Sequence, residues 1–206
     1  MSDKAPVKLN PEEMEPSAKA FYRFAEEFAA ESDRAAVILG AAKLDLLLLQ
    51  TLKAYLLPCS TGRDELLDGD SPLSTFSARI NACYRIGLIT AEFAKCLHLV
   101  RRIRNSFAHE SSGVSLDSGA HADRVRELIL PFRQNHGFTW LMEQHFSKKA
   151  VGIPQQFRGA VALLSLRLEG CLEQTKPIDA QPMGILPPAL EEESAEAEKD
   201  TGKKKT

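Results

Sequence analysis

Apolar residues along the chain recur at the three- and four-residue intervals of α-helices, whereas the alternation that marks β-strands is weak throughout. Residues 17–30 place three phenylalanines on one helical face, and a longer apolar pattern runs from 33 to 57, where Pro58 ends it. No Asn-Gly or Asp-Gly turn joins two alternating runs. The pattern therefore predicts an all-α fold: a single-domain bundle of six or seven helices with no significant β-sheet.

Polar residues with capping chemistry predict where these helices begin and end. Ser32 or Asp33 can cap the first long helix, because their side-chain oxygens accept from amides of the first turn. Ser71 followed by Pro72 predicts the start of another helix, which stops at Gly87. Further helices are predicted at 91–109 after the cap residue Thr90, and at 121–134, 138–148 and 154–174.

Composition divides the chain into three parts: a flexible N-terminus (1–14), a helical domain (15–175) and a disordered charged tail (176–206). The formal net charge of -2 gives no global drive toward nucleic acid or anionic membranes. A basic binding site must therefore be a local patch.

Features of metal sites, secretion and membrane insertion are weak. The four cysteines lack metal-site or redox spacing, so they are expected to be reduced, buried thiols. The polar N-terminus lacks the apolar core of a signal peptide, and charged residues interrupt the longest apolar run. We therefore expect a cytoplasmic protein with no membrane contact, no metal and no cofactor. The scattered histidines His121, His136 and His145 are expected at the surface.

Two charged residues fall inside apolar stripes. On a helical wheel, Arg104 lies amid the apolar face of the 91–109 helix, and Asp45 lies at the centre of the apolar group of the 33–57 helix. An unpaired buried charge costs several kcal/mol, so we expect Arg104 to donate to Asp45 as a structural ion pair. Arg34 and Arg79 also approach apolar faces and are alternative partners for Asp45.

The opposite face of the same helix carries a polar stripe. His98, Arg101, Arg102, Asn105 and His109 recur on it at helical spacing. Because no acidic residue interrupts the stripe, it is a candidate binding site for a phosphate or another acidic group. An ordinary solvated helix face is the alternative interpretation.

Four stretches of the chain carry a family resemblance: 31–45, 73–89, 97–109 and 157–164. Together they resemble the mannitol operon repressor (MltR) family over about residues 20–173, and the run LHLVRRIRNSFAH is the most recognisable part. The resemblance implies an all-α, cytoplasmic bacterial protein related to transcriptional repression. The family lacks an obvious helix-turn-helix reader of DNA.

The run from Arg104 to His109 also resembles the Arg-x4-His motif of the HEPN superfamily, whose active members are often metal-independent, dimeric ribonucleases. That resemblance implies catalytic roles for three residues. His109 would move the proton of the 2′-hydroxyl, Arg104 would stabilise the phosphorane charge, and Asn105 would position the histidine. A regular helix places Arg104 and His109 about 140° apart. They would converge only through an unwound helix end or across a dimer axis.

Familiar enzyme signatures such as GxxxxGK, GxGxxG, HExxH and GxSxG are absent from the sequence. We therefore expect a transcription-related regulatory protein without its own DNA-reading motif. It would form a homodimer and act through protein or nucleic-acid contacts of the polar stripe. A HEPN-type, toxin-like ribonuclease that uses Arg104 and His109 is the alternative.

Overall fold

The computed structural model describes residues 24–110, 113–146 and 151–179. The predicted N-terminal segment 1–14 and the part of the predicted tail from residue 180 onward lie outside these residues. The described residues contain helices and no strand, which confirms the all-α prediction. The helices are 24–30 (α1), Asp33–Tyr55 (α2), Phe76–Arg85 (α3), Ala91–His109 (α4), Gly119–Leu128 (α5), His136–Phe146 (α6) and Ile153–Gln174 (α7).

Side-chain caps fix the starts of the two longest helices around the candidate site. Ser32 Oγ accepts from the backbone amide of Ala35 at 3.2 Å at the start of α2, and Thr90 Oγ1 accepts from that of Phe93 at 3.2 Å at the start of α4. Each cap satisfies an amide that has no partner within its own helix. Both starts agree with the sequence prediction.

Two helix boundaries differ from the predictions by more than two residues. Helix α3 begins at Phe76 rather than at Pro72, because Thr75 supplies its side-chain cap. Gly87 adopts a φ of 82° after α3, so the predicted glycine stop is confirmed. The helix predicted at 121–134 is shorter, because the proline-containing 3₁₀ turn Leu130–Phe132 follows α5.

Helix α2 is the centre of the bundle and packs against α3, α4 and α7. Its close approach to α7 requires a glycine at position 40. A Cβ atom there would lie 2.8 Å from Val161 Cγ1 and 3.0 Å from Phe28 Cζ. Deeply buried leucines of α2, with Leu97, Ile103 and Phe107 of α4, complete the core between these helices.

By length and composition alone, α2 is also apolar enough to cross a membrane. Half of that apolar stretch is buried inside the bundle, as in the core helix of a globular protein. The hydropathy of α2 is therefore weak evidence for a membrane span.

Candidate anion-binding cleft

The predicted ion pair between Asp45 and Arg104 is wrong. Asp45 Oδ1 instead accepts from Arg79 Nη1 at 2.8 Å, and Arg79 Nε donates to the carbonyl of Leu73 at 2.9 Å. The Arg79 side chain is 11% exposed and that of Asp45 is 28% exposed. Arg79 was one of the two alternative partners, so a partly buried pair exists with a different arginine.

The helical wheel failed because the buried side of α4 changes along the helix. Leu97 and Val100 are fully buried, yet Arg104 and Ala108 on nearby angles of the wheel are exposed. No described element covers this side of α4 in its second half. Arg104 Nη1 therefore reaches the neighbouring Asn105 Oδ1 at 3.1 Å and no described carboxylate.

An open cleft lies where α2, the start of α3 and the second half of α4 meet. Its volume is about 440 Å³, within the range of small-ligand sites. Asp45 is the one carboxylate among the described residues that line it. The lining residues are Ile38, Ala41, Ala42, Asp45, Ser74, Thr75, Phe76, Ser77, Arg101, Arg104 and Asn105.

The charge of the cleft is positive. Arg79 pairs with Asp45, which leaves the guanidinium groups of Arg101 and Arg104 uncompensated by described carboxylates. The Nε atom of Arg101 is buried and has no hydrogen-bond partner among the described residues. The first turn of α3, which opens onto the cleft, carries no acidic side chain. Its unpaired amides add a partial positive charge. These donors suit an acidic group.

The structure divides the predicted polar stripe. Arg101 and Asn105 share the cleft with Arg104, whereas His98 and Arg102 line a second cavity of about 370 Å³. Glu127 also lines that second cavity, and it pairs with Lys95 at 3.0 Å. His109 is exposed and lines neither cavity.

His98 links α4 to α3, since its Nε2 atom lies 3.1 Å from Asn81 Oδ1. Its Nδ1 atom is buried without a partner among the described residues. Burial lowers the pKa of His98 from its ordinary value of 6.5, and the positive charges of Arg101 and Arg102 lower it further. The second cavity therefore favours a neutral imidazole.

The C-terminal end of α4 is held by Arg34 and remains regular through His109. Arg34 donates from Nη1 to the carbonyl of Phe107 at 2.8 Å and from Nη2 to that of Glu110 at 2.6 Å. Because α4 does not unwind, Arg104 and His109 point about 140° apart around its axis. Within one chain they do not converge on a single phosphodiester.

The histidine expected at the surface at position 121 is buried. Its Nε2 atom lies 3.2 Å from Glu110 Oε1. Its ring packs edge-on against that of Phe107, with 4.7 Å between the two ring centroids. His136 is exposed as expected, and the side chain of His145 lies outside the described residues. No group of three or more potential ligands for a metal ion occurs among the described residues.

The most buried ion pair among the described residues was not predicted from the sequence. Arg158 of α7 is 6% exposed and donates from Nη2 to Asp33 Oδ1 at 3.1 Å and to the carbonyl of Glu31 at 2.6 Å. The other carboxylate oxygen of Asp33 accepts from the Leu116 amide at 3.1 Å. An arginine inside the apolar run FRGAVALL was the available signal.

The cysteines match the expectation of buried thiols only in part. Cys83 and Cys96 are buried, and burial raises the pKa of Cys83 to about 12 and that of Cys96 to about 11. Cys59 is exposed and Cys171 is half-buried. All four are free thiols.

Comparisons with known proteins are sparse. No family model matches the sequence, and no curated protein matches it significantly. Among solved structures, the fold is similar to a chain in the X-ray structure of the MtlR-HPr complex from Escherichia coli. That similarity has 19% sequence identity and a TM-score of 0.49, and it covers 74% of this chain and 98% of the other.

Proposed function

We propose that this is a transcription-related regulatory protein that works by binding, and that it holds an acidic group of a protein partner in the cleft between α2, α3 and α4. One observation carries the proposal: Arg101 and Arg104 line this cleft, while Arg79 already neutralises its carboxylate, Asp45. Arginines so placed favour a carboxylate or phosphate group of a partner. The regulatory part of the proposal rests on the resemblance of the sequence to the mannitol operon repressor family.

An apolar strip on α2 beside the cleft favours a protein over a nucleic acid. Ile38, Leu39 and Leu46 are 36%, 50% and 52% exposed. Ile38 also lines the cleft, so apolar surface and basic surface are continuous. Protein interfaces combine an apolar centre with arginine, whereas nucleic-acid surfaces present extended rows of phosphate contacts. The net charge of -2 agrees with a local contact of this kind.

Site-specific photocrosslinking in cells tests the proposal. A benzophenone amino acid at Leu46 places the probe on the strip, and the same probe at exposed Arg133 is the control. We expect a discrete crosslink to one protein from position 46. Its yield should fall about tenfold in the double variant R101Q/R104Q, a loss of about 1.4 kcal/mol in binding free energy.

Two results would overturn this proposal. One is a position-46 crosslink whose yield is the same in R101Q/R104Q, because the arginines would then contribute nothing. The other is a specific gel shift of DNA upstream of the regulated operon that persists as the salt concentration rises, which would indicate direct DNA recognition.

A further inference from the structure

We infer that the acidic segment 191–200 of the same chain occupies the cleft when no partner is bound, so that tail and partner compete for Arg101 and Arg104. The inference rests on the proposed function, because it requires the cleft to accept acidic groups. The segment EEESAEAEKD contains six acidic residues and one lysine. It is the densest acidic run in the sequence, and its charge is opposite to that of the cleft.

The cleft has donors that the described residues leave without acceptors. Arg101 and Arg104 line the cleft and pair with no described carboxylate, and Arg104 donates to the amide side chain of its neighbour Asn105. The Thr75 hydroxyl accepts from the Ala78 amide, which leaves earlier amides of α3 free of described side-chain acceptors. The acidic segment supplies several carboxylates, which suits several separated donors better than a single carboxylate does.

The chain leaves the described bundle within reach of this cleft. The amide of Ile178 donates to the carbonyl of Tyr55 at 2.7 Å, so the chain is attached at Ile178 to the last residue of α2. Asp45 lies ten residues earlier on that helix, which is about 15 Å along the axis. The eleven residues from 180 to 190 can span up to about 36 Å. The acidic segment therefore reaches the cleft with chain to spare.

Because the acidic segment is tethered to the helical domain, weak ion pairs are enough to hold it in the cleft. Each solvent-exposed ion pair contributes about 0.2–1 kcal/mol, so a free acidic peptide would bind weakly. A tether of about eleven residues raises the local concentration of the segment to the order of millimolar. A segment with a dissociation constant near that value would occupy about half of the molecules. Such occupancy is sensitive to salt, because dissolved ions screen the attraction between the surface charges that hold the segment in the cleft.

A second basic surface lies nearer the point where the chain leaves the bundle and serves as the internal comparison. Arg167 and Lys176 line a cavity of about 530 Å³ that also includes Tyr55. The apolar strip of α2 is absent from its lining. A tail that simply sought the nearest positive charge would bind there rather than at Arg101 and Arg104.

The test uses the purified full-length chain with a benzophenone amino acid at Ala42, an exposed residue of the cleft. After irradiation, we expect mass spectrometry to find crosslinks from position 42 to segment 191–200. The yield should fall at least about fivefold at about 0.5 M salt. It should fall equally in R101Q/R104Q and persist in the matched double variant R167Q/K176Q. A mixture of isotopically light and heavy chains separates crosslinks within one chain from those between two copies.

Tail variants complete the test. In E191Q/E192Q/E193Q the Ala42 crosslink should decline, whereas in K203Q/K204Q/K205Q, which removes as many charges, it should remain. The Leu46 crosslink to the partner in cells should rise by up to about twofold in the glutamate variant, because the internal competitor that occupies about half of the molecules is weakened.

The outcomes separate the two proposals. If position 42 does not reach the segment, reaches it only in another copy, or reaches it equally well in R101Q/R104Q, the inference about the tail is wrong. The proposed function stands in that case if the Leu46 crosslink still depends on Arg101 and Arg104. Loss of that dependence overturns both.

Discussion

Arg79 of α3 donates to Asp45 of α2 across 2.8 Å, and this contact sets the charge of the neighbouring cleft. Because Arg79 also donates to the Leu73 carbonyl, it joins the start of α3 to the middle of α2. The pair neutralises the carboxylate that would otherwise compensate the cleft arginines. Its structural role and its electrostatic role therefore depend on the same hydrogen bond.

Replacing Arg79 should destabilise the fold, and replacing Arg104 should not. Arg79→Ala leaves the half-buried Asp45 without its charged donor, so the free energy of unfolding should fall by about 1–3 kcal/mol. Arg104→Ala removes an exposed side chain and should change it by less than about 0.5 kcal/mol. Urea denaturation of both variants provides the measurement. A cost for Arg104→Ala equal to that for Arg79→Ala would contradict the observed pairing.

The predictable parts of this fold are those fixed by local sequence. Ser32, Thr90 and Gly87 were identified as caps or stops because their hydrogen bonds and backbone angles involve residues a few positions away. The partner of Asp45 depends on how three helices cross, which a wheel of one helix does not contain. The cleft was missed for the same reason, since Arg104 faces an opening that exists only after α2 and α3 are in place.

The buried pair of Arg158 and Asp33 should be the most costly ion pair to break among the described residues. Arg158→Leu leaves Asp33 with the Leu116 amide and removes the link from α7 to the start of α2, so we expect a loss of about 3–5 kcal/mol. The control is Arg126→Ala, which breaks the exposed pair with Asp123 and should cost less than about 1 kcal/mol. Comparable thermal and urea stability in the two variants would show that burial adds nothing here.

The lowered pKa of His98 makes stability depend on pH in one direction. The unfolded chain takes up a proton at His98 as the pH falls below 6.5, while the folded protein keeps the imidazole neutral to lower pH. This contribution to stability is therefore complete above pH 6.5 and is lost progressively as the pH falls from there through the folded pKa. His98→Gln should lose less stability than the wild type between about pH 8 and pH 5.

An NMR titration checks the cause of that shift directly. The wild-type pKa of His98 should lie below 6.5, and Arg102→Gln should raise it by removing one of the nearby positive charges. Burial is the larger cause, so the pKa in this variant should remain below the ordinary value. A titration of His98 at or above 6.5 in the wild type would show that the imidazole is more solvated than its surroundings indicate.

An RNA cleavage assay distinguishes the ribonuclease alternative from the proposed binding function. Helix α4 stays regular to His109, and Arg104 lines a cleft to which His109 does not contribute. An in-line attack needs its proton-transfer group and its charge-stabilising group at the same phosphate. We therefore expect total RNA incubated with excess protein in EDTA to remain intact, with the same electrophoretic profile for the wild type and His109→Ala. If instead the wild type cleaved RNA, and both His109→Ala and Arg104→Ala abolished cleavage, two copies of α4 would have to combine their residues across a dimer axis. The cleft would then have to be interpreted as half of an active site rather than as a binding surface.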